Sequence, residues 1–130
     1  MHWRVRAIRG ATTVPVNSRE AIAAAVTELL DELELHNRLG DPNEIVSVTF
    51  SVTRDLDAIF PAAIARQRPG WDQVPLMDFQ HMYVEGSLER CIRLLLHFNT
   101  DEPSLVVYHP YLRRARDLRP DLALSAPLSV

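Results

Sequence analysis

Hydrophobic and polar positions along the chain change period several times, and each change marks an element. In "HWRVRAIRGAT", from His2 to Thr12, apolar and cationic residues alternate with the period of two that belongs to a strand, and Gly10 predicts its end. Through "VNSREAIAAAVTELLDELELHNRLG" the period becomes helical, with Ile22, Val26, Leu29, Leu30 and Leu33 on one stripe. Asn17 or Ser18 can cap this helix, Glu20 lies three after Asn17 as in a capping box, and Gly40 before "DPNE" predicts its stop. Alternation returns in "EIVSVTFSVT", where Val46, Val48, Phe50 and Val52 interleave with Ser47, Thr49 and Ser51. Thr53 can then cap a turn through "RDLDAIFPAAIARQR", with Pro61 suited to the first turn of a small second helix and Gly70 to its close. "WDQVPLMDFQHMYVEGS" reads as extended, interrupted by Pro75. "LERCIRLLLHFNT" reads as a longer strand with Cys91, Arg93, Leu95 and His97 on one face and Leu94, Leu96 and Phe98 on the other. "SLVVYHPYL" predicts a last strand, and "RRARDLRPDLALSAPLSV" a short turn followed by a mobile tail.

Five strands with one long helix point to the α+β class, as a single sheet covered on one face. The other face then needs a partner, so an oligomer is expected. At 130 residues the chain makes one domain, residues 1–122, with residues 123–130 as the tail. No run of eighteen apolar residues is present and the start lacks the layout of a signal peptide, which predicts a cytoplasmic protein with no membrane partner. The one cysteine, Cys91, cannot form an internal disulfide and reads as a small buried hydrophobe. A net charge of −3 argues against binding nucleic acid by bulk electrostatics.

Common chemical motifs are missing. Isolated glycines make no phosphate loop, no G-x-S-x-G elbow occurs, and His2, His36, His81, His97 and His109 lack metal-ligand spacing. What stands out is arginine on strands, since all 14 basic residues are arginine. Arg4 and Arg6 share a strand face, whereas Arg9 falls on the other with Trp3, Val5 and Ala7. A guanidinium on an apolar face must meet an anion, either a protein carboxylate or a ligand. Arg93, in the middle of an apolar strand, poses the same choice between an internal ion pair and a site.

The segments "RAIRGATTV", "SVTRDLDAIFPAAIAR", "GWDQVPL", "GSLERCIRLLLH" and "YLRRARDLRPDL", in this order from Arg6 to about Leu122, resemble the monofunctional trimeric chorismate mutases. That resemblance implies a mixed five-stranded sheet packed with one long helix, three copies forming a pseudo-α/β-barrel, and active sites in the clefts between copies. It also implies the rearrangement of chorismate to prephenate, for phenylalanine and tyrosine synthesis, without cofactor or metal. The reaction is pericyclic and needs no nucleophile or general base. The protein must hold a flexible dicarboxylate folded and stabilise the charge growing on its ether oxygen. Arginine suits both tasks, because its fork grips a carboxylate with two bonds and keeps its charge.

Residue by residue, the resemblance makes Arg9 a carboxylate ligand and places Arg93 near the breaking ether bond. Tyr111 contacts the side-chain carboxylate, and Arg66 lies near the cleft mouth. Phe60, Met77 and Leu118 lie against the substrate, and Arg119 belongs to the segment closing over the site. The sequence departs from the family at Ala63, where a lysine is usual, and at His81, where a glutamate normally accepts a hydrogen bond from the ring hydroxyl. Asp78, three residues earlier, is the candidate for a relocated carboxylate, which requires a bulge between the two because positions 78 and 81 of a regular strand face opposite ways. Two other functions share this outline: a RidA-like imine deaminase, and a non-catalytic trimer that senses a small carboxylate.

Overall fold

The computed structural model describes residues 2–102 and 104–122. Its elements are strand β1 (Arg4–Thr13), helix α1 (Arg19–His36), strand β2 (Ile45–Val52), the short helix α2 (Pro61–Ala65), and strands β3 (Leu76–Gln80) and β4 (Cys91–Thr100). Two 3-10 turns, Pro42–Glu44 and Arg113–Asp117, complete them. The sheet has four strands in the order β1-β4-β2-β3. β4 is antiparallel to both neighbours and β2 is parallel to β3, so the sheet is mixed and the class is α+β. The expected tail, residues 123–130, lies outside the described residues.

Helix α1 forms where its stripe predicts, and Ile22, Val26, Leu29, Leu30 and Leu33 are all fully buried. They pack on Ile8 of β1, Val48 and Phe50 of β2, and Ile92, Leu94, Leu96 and Phe98 of β4. Truncating any of these leucines to alanine would cost ~2–5 kcal/mol, the usual range for a buried leucine. Ser18 is the cap, accepting the Ala21 N–H at 3.1 Å. Asn17 does something else: its side-chain amide donates to Asp57 at 2.7 Å and its oxygen accepts the Asp57 N–H at 3.1 Å, tying the helix start to the loop before α2. The helix stops before Gly40 because Asn37 donates to the Leu33 carbonyl at 2.9 Å and leaves helical geometry.

Three expectations are corrected. The fifth strand, in "SLVVYHPYL", does not form; only an isolated bridge pairs Tyr111 with Ala11. This segment does run along the free edge of β1, but side chains take over much of the ladder. The Arg9 N–H donates to the His109 ring at 3.0 Å, and the Asn37 amide group satisfies both backbone groups of Tyr108 at 2.9 Å. Pro110 has no N–H to give. Second, β1 does not end at Gly10 but continues to Thr13. Gly10 instead admits the neighbouring segment, since a Cβ there would lie 2.7 Å from the Pro110 carbonyl oxygen. Third, Val46 does not join the buried side of β2, because a register shift between Ile45 and Ser47 turns it outward.

The helices cover one face of the sheet. On the other, Val5, Leu95, Met77 and Phe79 are 41–58 % exposed. Arg9 lies on this open face and not in the core, because α1 packs on the side of β1 that carries Ile8. Part of the open face is closed by a second small cluster of Ala11, Cys91, Tyr111 and Ala115, against which Leu88, Leu118 and Leu122 pack.

Candidate active site

A cavity of about 380 Å³ opens where the uncovered sheet face meets the segment around Tyr111. Arg9, Thr49, Ser51, Arg93, His109 and Tyr111 line it, drawn from β1, β2, β4 and the segment along the β1 edge. Its size suits a small organic ligand. Strand register builds it: Arg9 opposes Leu95 and Arg93 opposes Ala11 across β1 and β4, while Ser51 opposes Arg93 across β2 and β4. All point to the open face because their positions share one parity of the pleat.

Two cations therefore share the cavity. Its lining contains no carboxylate. Neither Arg9 nor Arg93 forms a salt bridge among the described residues, whereas Arg68, Arg90, Arg113 and Arg119 each do. Of the two alternatives for Arg93, the internal ion pair is thus not formed among the described residues, and the Arg93 side chain bonds the Cys91 thiol. The Tyr111 phenol is buried, and its pKa is raised chiefly by that burial, so it stays a neutral hydrogen-bond donor.

His81 follows β3 and adjoins the cavity through Ser51. Its Nδ1 lies 3.0 Å from the Ser51 Oγ, and its backbone N–H donates to the Val52 carbonyl at 3.0 Å. Burial and then the Arg93 charge lower its pKa, against a smaller pull from Asp55. The ring is neutral at pH 7, able to accept a hydrogen bond through one nitrogen.

Asp78 lies elsewhere. The β2–β3 register is continuous from Val48↔Leu76 to Val52↔Gln80, so no bulge brings positions 78 and 81 to one side. Asp78 pairs with the core residue Phe50 on the covered face, where its Oδ1 accepts the Ala62 N–H at 3.0 Å in the first turn of α2. Its pKa is raised by burial, against the lowering effects of the Ala62 amide and Arg66. Asp78 and Phe60 line a second hollow of about 500 Å³ at the edge of the sheet, with Phe60 70 % exposed and Arg66 close enough to act on Asp78. Met77 sits on the open face beside Thr49.

Leu118 packs with Leu122 near Tyr111, and Arg119 is held by Asp121 through bonds of 3.0 and 2.8 Å while its charge reaches Tyr111 and His109. The candidates thus fall into two groups. Arg9, Arg93 and Tyr111 line the first cavity, with His81, Leu118 and Arg119 next to it; Phe60 and Asp78 line the second, with Arg66 within reach of Asp78. Sequence reasoning missed Thr49, Ser51 and His109. Ser51 and Thr49 were visible only as the polar half of an alternating strand, and His109 only as a histidine two residues from Tyr111. Among the described residues, no group of three or more His, Cys, Asp or Glu is placed to hold a metal ion, and no helix is long and apolar enough to cross a membrane.

Comparison with known proteins points the same way as the cavity. The chorismate mutase type I family model matches residues 5–122. The chorismate mutase AroH of Bacillus subtilis is 40% identical over 121 residues, 93% of this chain and 94% of the relative. That of Thermus thermophilus is 48% identical over 118 residues, covering 91% and 96%. The structure of a chorismate mutase from Clostridium thermocellum superposes with a TM-score of 0.80 at 45% identity, covering 86% of this chain and 98% of that one. With a family match over nearly its whole length, relatives this similar and a cavity carrying two arginines with no carboxylate partner, the chain belongs to the type I chorismate mutases.

Proposed function

We infer that the chain carries out its family's reaction, the isomerisation of chorismate to prephenate, in the Arg9–Arg93 cavity of a cytoplasmic homotrimer. The observation that carries this is the pair of arginines converging on one open cavity with no carboxylate partner there. Chorismate is a dicarboxylate whose carbon–oxygen ether bond breaks as a carbon–carbon bond forms within the same molecule. No proton is transferred. Negative charge grows on the ether oxygen and positive charge on the ring.

Arg9 binds a carboxylate, with the neutral Tyr111 hydroxyl donating beside it. Arg93 faces the ether oxygen and stabilises the charge that appears only as the bond breaks. His81, held by Ser51, offers a ring nitrogen to the substrate's hydroxyl in place of the family's glutamate. Arg119 and Leu118 close the cavity on the C-terminal side.

The cavity is open, and the exposed apolar residues of the uncovered sheet face flank it. A neighbouring copy supplies the missing wall with Phe60, Arg66 and the edge that Asp78 braces. This arrangement hides Phe60 and the open sheet face together, which is the reason for the trimer. Mixing subunits tests both the activity and the shared site. Arg93→Ala and Arg66→Ala proteins, unfolded and refolded together, should convert chorismate better than either parent alone, since some mixed sites then carry both arginines. A mixture no more active than its parents contradicts a site shared between copies.

A further inference from the structure

We propose that His109 is a positioning residue for Arg9: its ring holds the edge strand β1 at the cavity by a hydrogen bond that only the neutral imidazole can accept, and protonation of that ring weakens substrate capture. This rests on the reading of Arg9 as the carboxylate ligand.

The geometry fixes the tautomer. The Arg9 backbone N–H donates to the Nδ1 of His109 at 3.0 Å, so Nδ1 presents its lone pair and the ring proton sits on Nε2. A second proton can go only to Nδ1, where it would meet the Arg9 N–H head on. Charging the ring therefore replaces an attraction with a repulsion. β1 is an edge strand, so β4 holds it on one side only. The next outward amide, that of Ala11, donates to the Pro110 carbonyl at 2.9 Å, a contact that does not titrate. At position 9 the corresponding contact does.

The groups that act on the ring are Arg9 and Arg6 of β1 and Arg119 of the C-terminal segment, while Arg93 and Tyr111 line the same cavity. No carboxylate is among them. Burial first, and then the charges of Arg9, Arg119 and Arg6, lower the pKa of the imidazole. His109 is thus neutral near pH 7 and gains its charge in acid, where substrate carboxylates are still ionised. The consequence falls on binding, because Arg9 meets its carboxylate before the reaction as well as during it.

Steady-state kinetics on the assembled enzyme between about pH 5 and 8 test this with His109→Asn, His109→Gln and Arg9→Ala. The asparagine amide reaches about where Nδ1 lies and can accept the Arg9 N–H without titrating; the glutamine amide reaches past it. In the wild type, KM should rise about five- to tenfold in acid, the scale of one lost hydrogen bond. His109→Asn should flatten that rise to the share that His81 contributes, and His109→Gln should raise KM at every pH. An acid rise in His109→Asn equal to that of the wild type overturns the proposal, as does a His109→Gln protein with wild-type KM at neutral pH. If Arg9→Ala leaves KM unchanged, it is the carboxylate reading of Arg9 that fails. The hydrogen bond is then decided by the Arg9 amide resonance, which should shift with the titration of His109 in the wild type and stay still in His109→Asn. An Arg9 amide indifferent to that titration overturns the proposal.

Discussion

Arg9 and Arg93 are diagonal neighbours across the β1–β4 ladder: Arg9 stands opposite Leu95, and Arg93, two residues before Leu95, stands opposite Ala11. Side chains so related rise from the same face about 7–8 Å apart, close enough for two like charges to repel. No carboxylate lines the cavity, and Asp121, which feels the Arg9 charge from outside the lining, is already bonded to Arg119. A folded domain gains nothing from such a pair. A dianionic ligand does, because both charges are in place before it arrives and need not be gathered during reaction.

Arg93→Ala should leave the protein folded and lower kcat more than it raises KM, by about 2–4 kcal/mol in barrier, the scale of one preorganised donor at developing charge. Its thermal midpoint should equal or slightly exceed that of the wild type, since a repulsion is removed. Near-normal turnover in this variant would take Arg93 out of the mechanism.

Arg9→Ala is expected to impair capture and turnover together. The proposed carboxylate contact would be present in the ground state and retained in the transition state, so KM rises and kcat/KM falls. Calorimetry distinguishes the alternative: a variant with wild-type kinetics and a lowered melting temperature would make Arg9 structural.

His81 and Asp78 separate because they face opposite sides of the sheet. His81→Ala should lower kcat/KM by about tenfold or more, the cost of a lost hydrogen bond to the substrate, while His81→Glu should keep or raise turnover by restoring an anion opposite the ring's developing positive charge. Asp78→Ala removes the acceptor for the Ala62 N–H and should cost about 1–2 kcal/mol of stability. Chemical denaturation of both alanine variants alongside their kinetics checks the division. Full activity in His81→Ala would show that the substrate hydroxyl has no partner at this position.

Stability should fall on mild acidification. His81 and His109 have lowered pKa values in the folded protein, so below about 6.5 the unfolded chain takes up protons first. Their contribution is full above that value and is lost as pH drops toward the folded values. Asp78 works in the opposite sense at lower pH, because its raised value lets the folded state bind a proton before the unfolded one does. Scanning calorimetry from about pH 7 to 5 should show a falling midpoint, with a shallower fall in His109→Asn. A flat profile in the wild type would contradict these directions.

Much of this was legible in the sequence where one period ran long enough. The stripe from Ile22 to Leu33 could only be a helix face, and the alternation from Cys91 to Phe98 put Arg93 on the face away from Leu94, Leu96 and Phe98, without saying which face the core would take. Which face of β1 the helix would cover was harder to read. Trp3, Val5 and Ala7 made Arg9's side look apolar, and only packing shows that α1 chose the side of Ile8. The missing strand had a similar cause, since strand propensity in "SLVVYHPYL" says nothing about His109 and Asn37 taking the hydrogen bonds of a ladder. Period two already set positions 78 and 81 on opposite faces, but the absence of a bulge between them is a property of the β2–β3 register. Asp78's bond to Ala62 joins residues 16 apart through a helix start that no strand pattern encodes.

On the proposed mechanism, this cavity rearranges chorismate with charge and shape alone. The most direct measurement is to add chorismate to the purified protein in the presence of a metal chelator and no cofactor, following loss of its diene absorbance and identifying the product. Prephenate should form in stoichiometric yield at a rate far above the spontaneous one, and the same protein with Arg93→Ala should lose most of that acceleration. Chorismate that binds and is recovered unchanged would mean that the cavity senses a carboxylate and does not catalyse, contradicting the account.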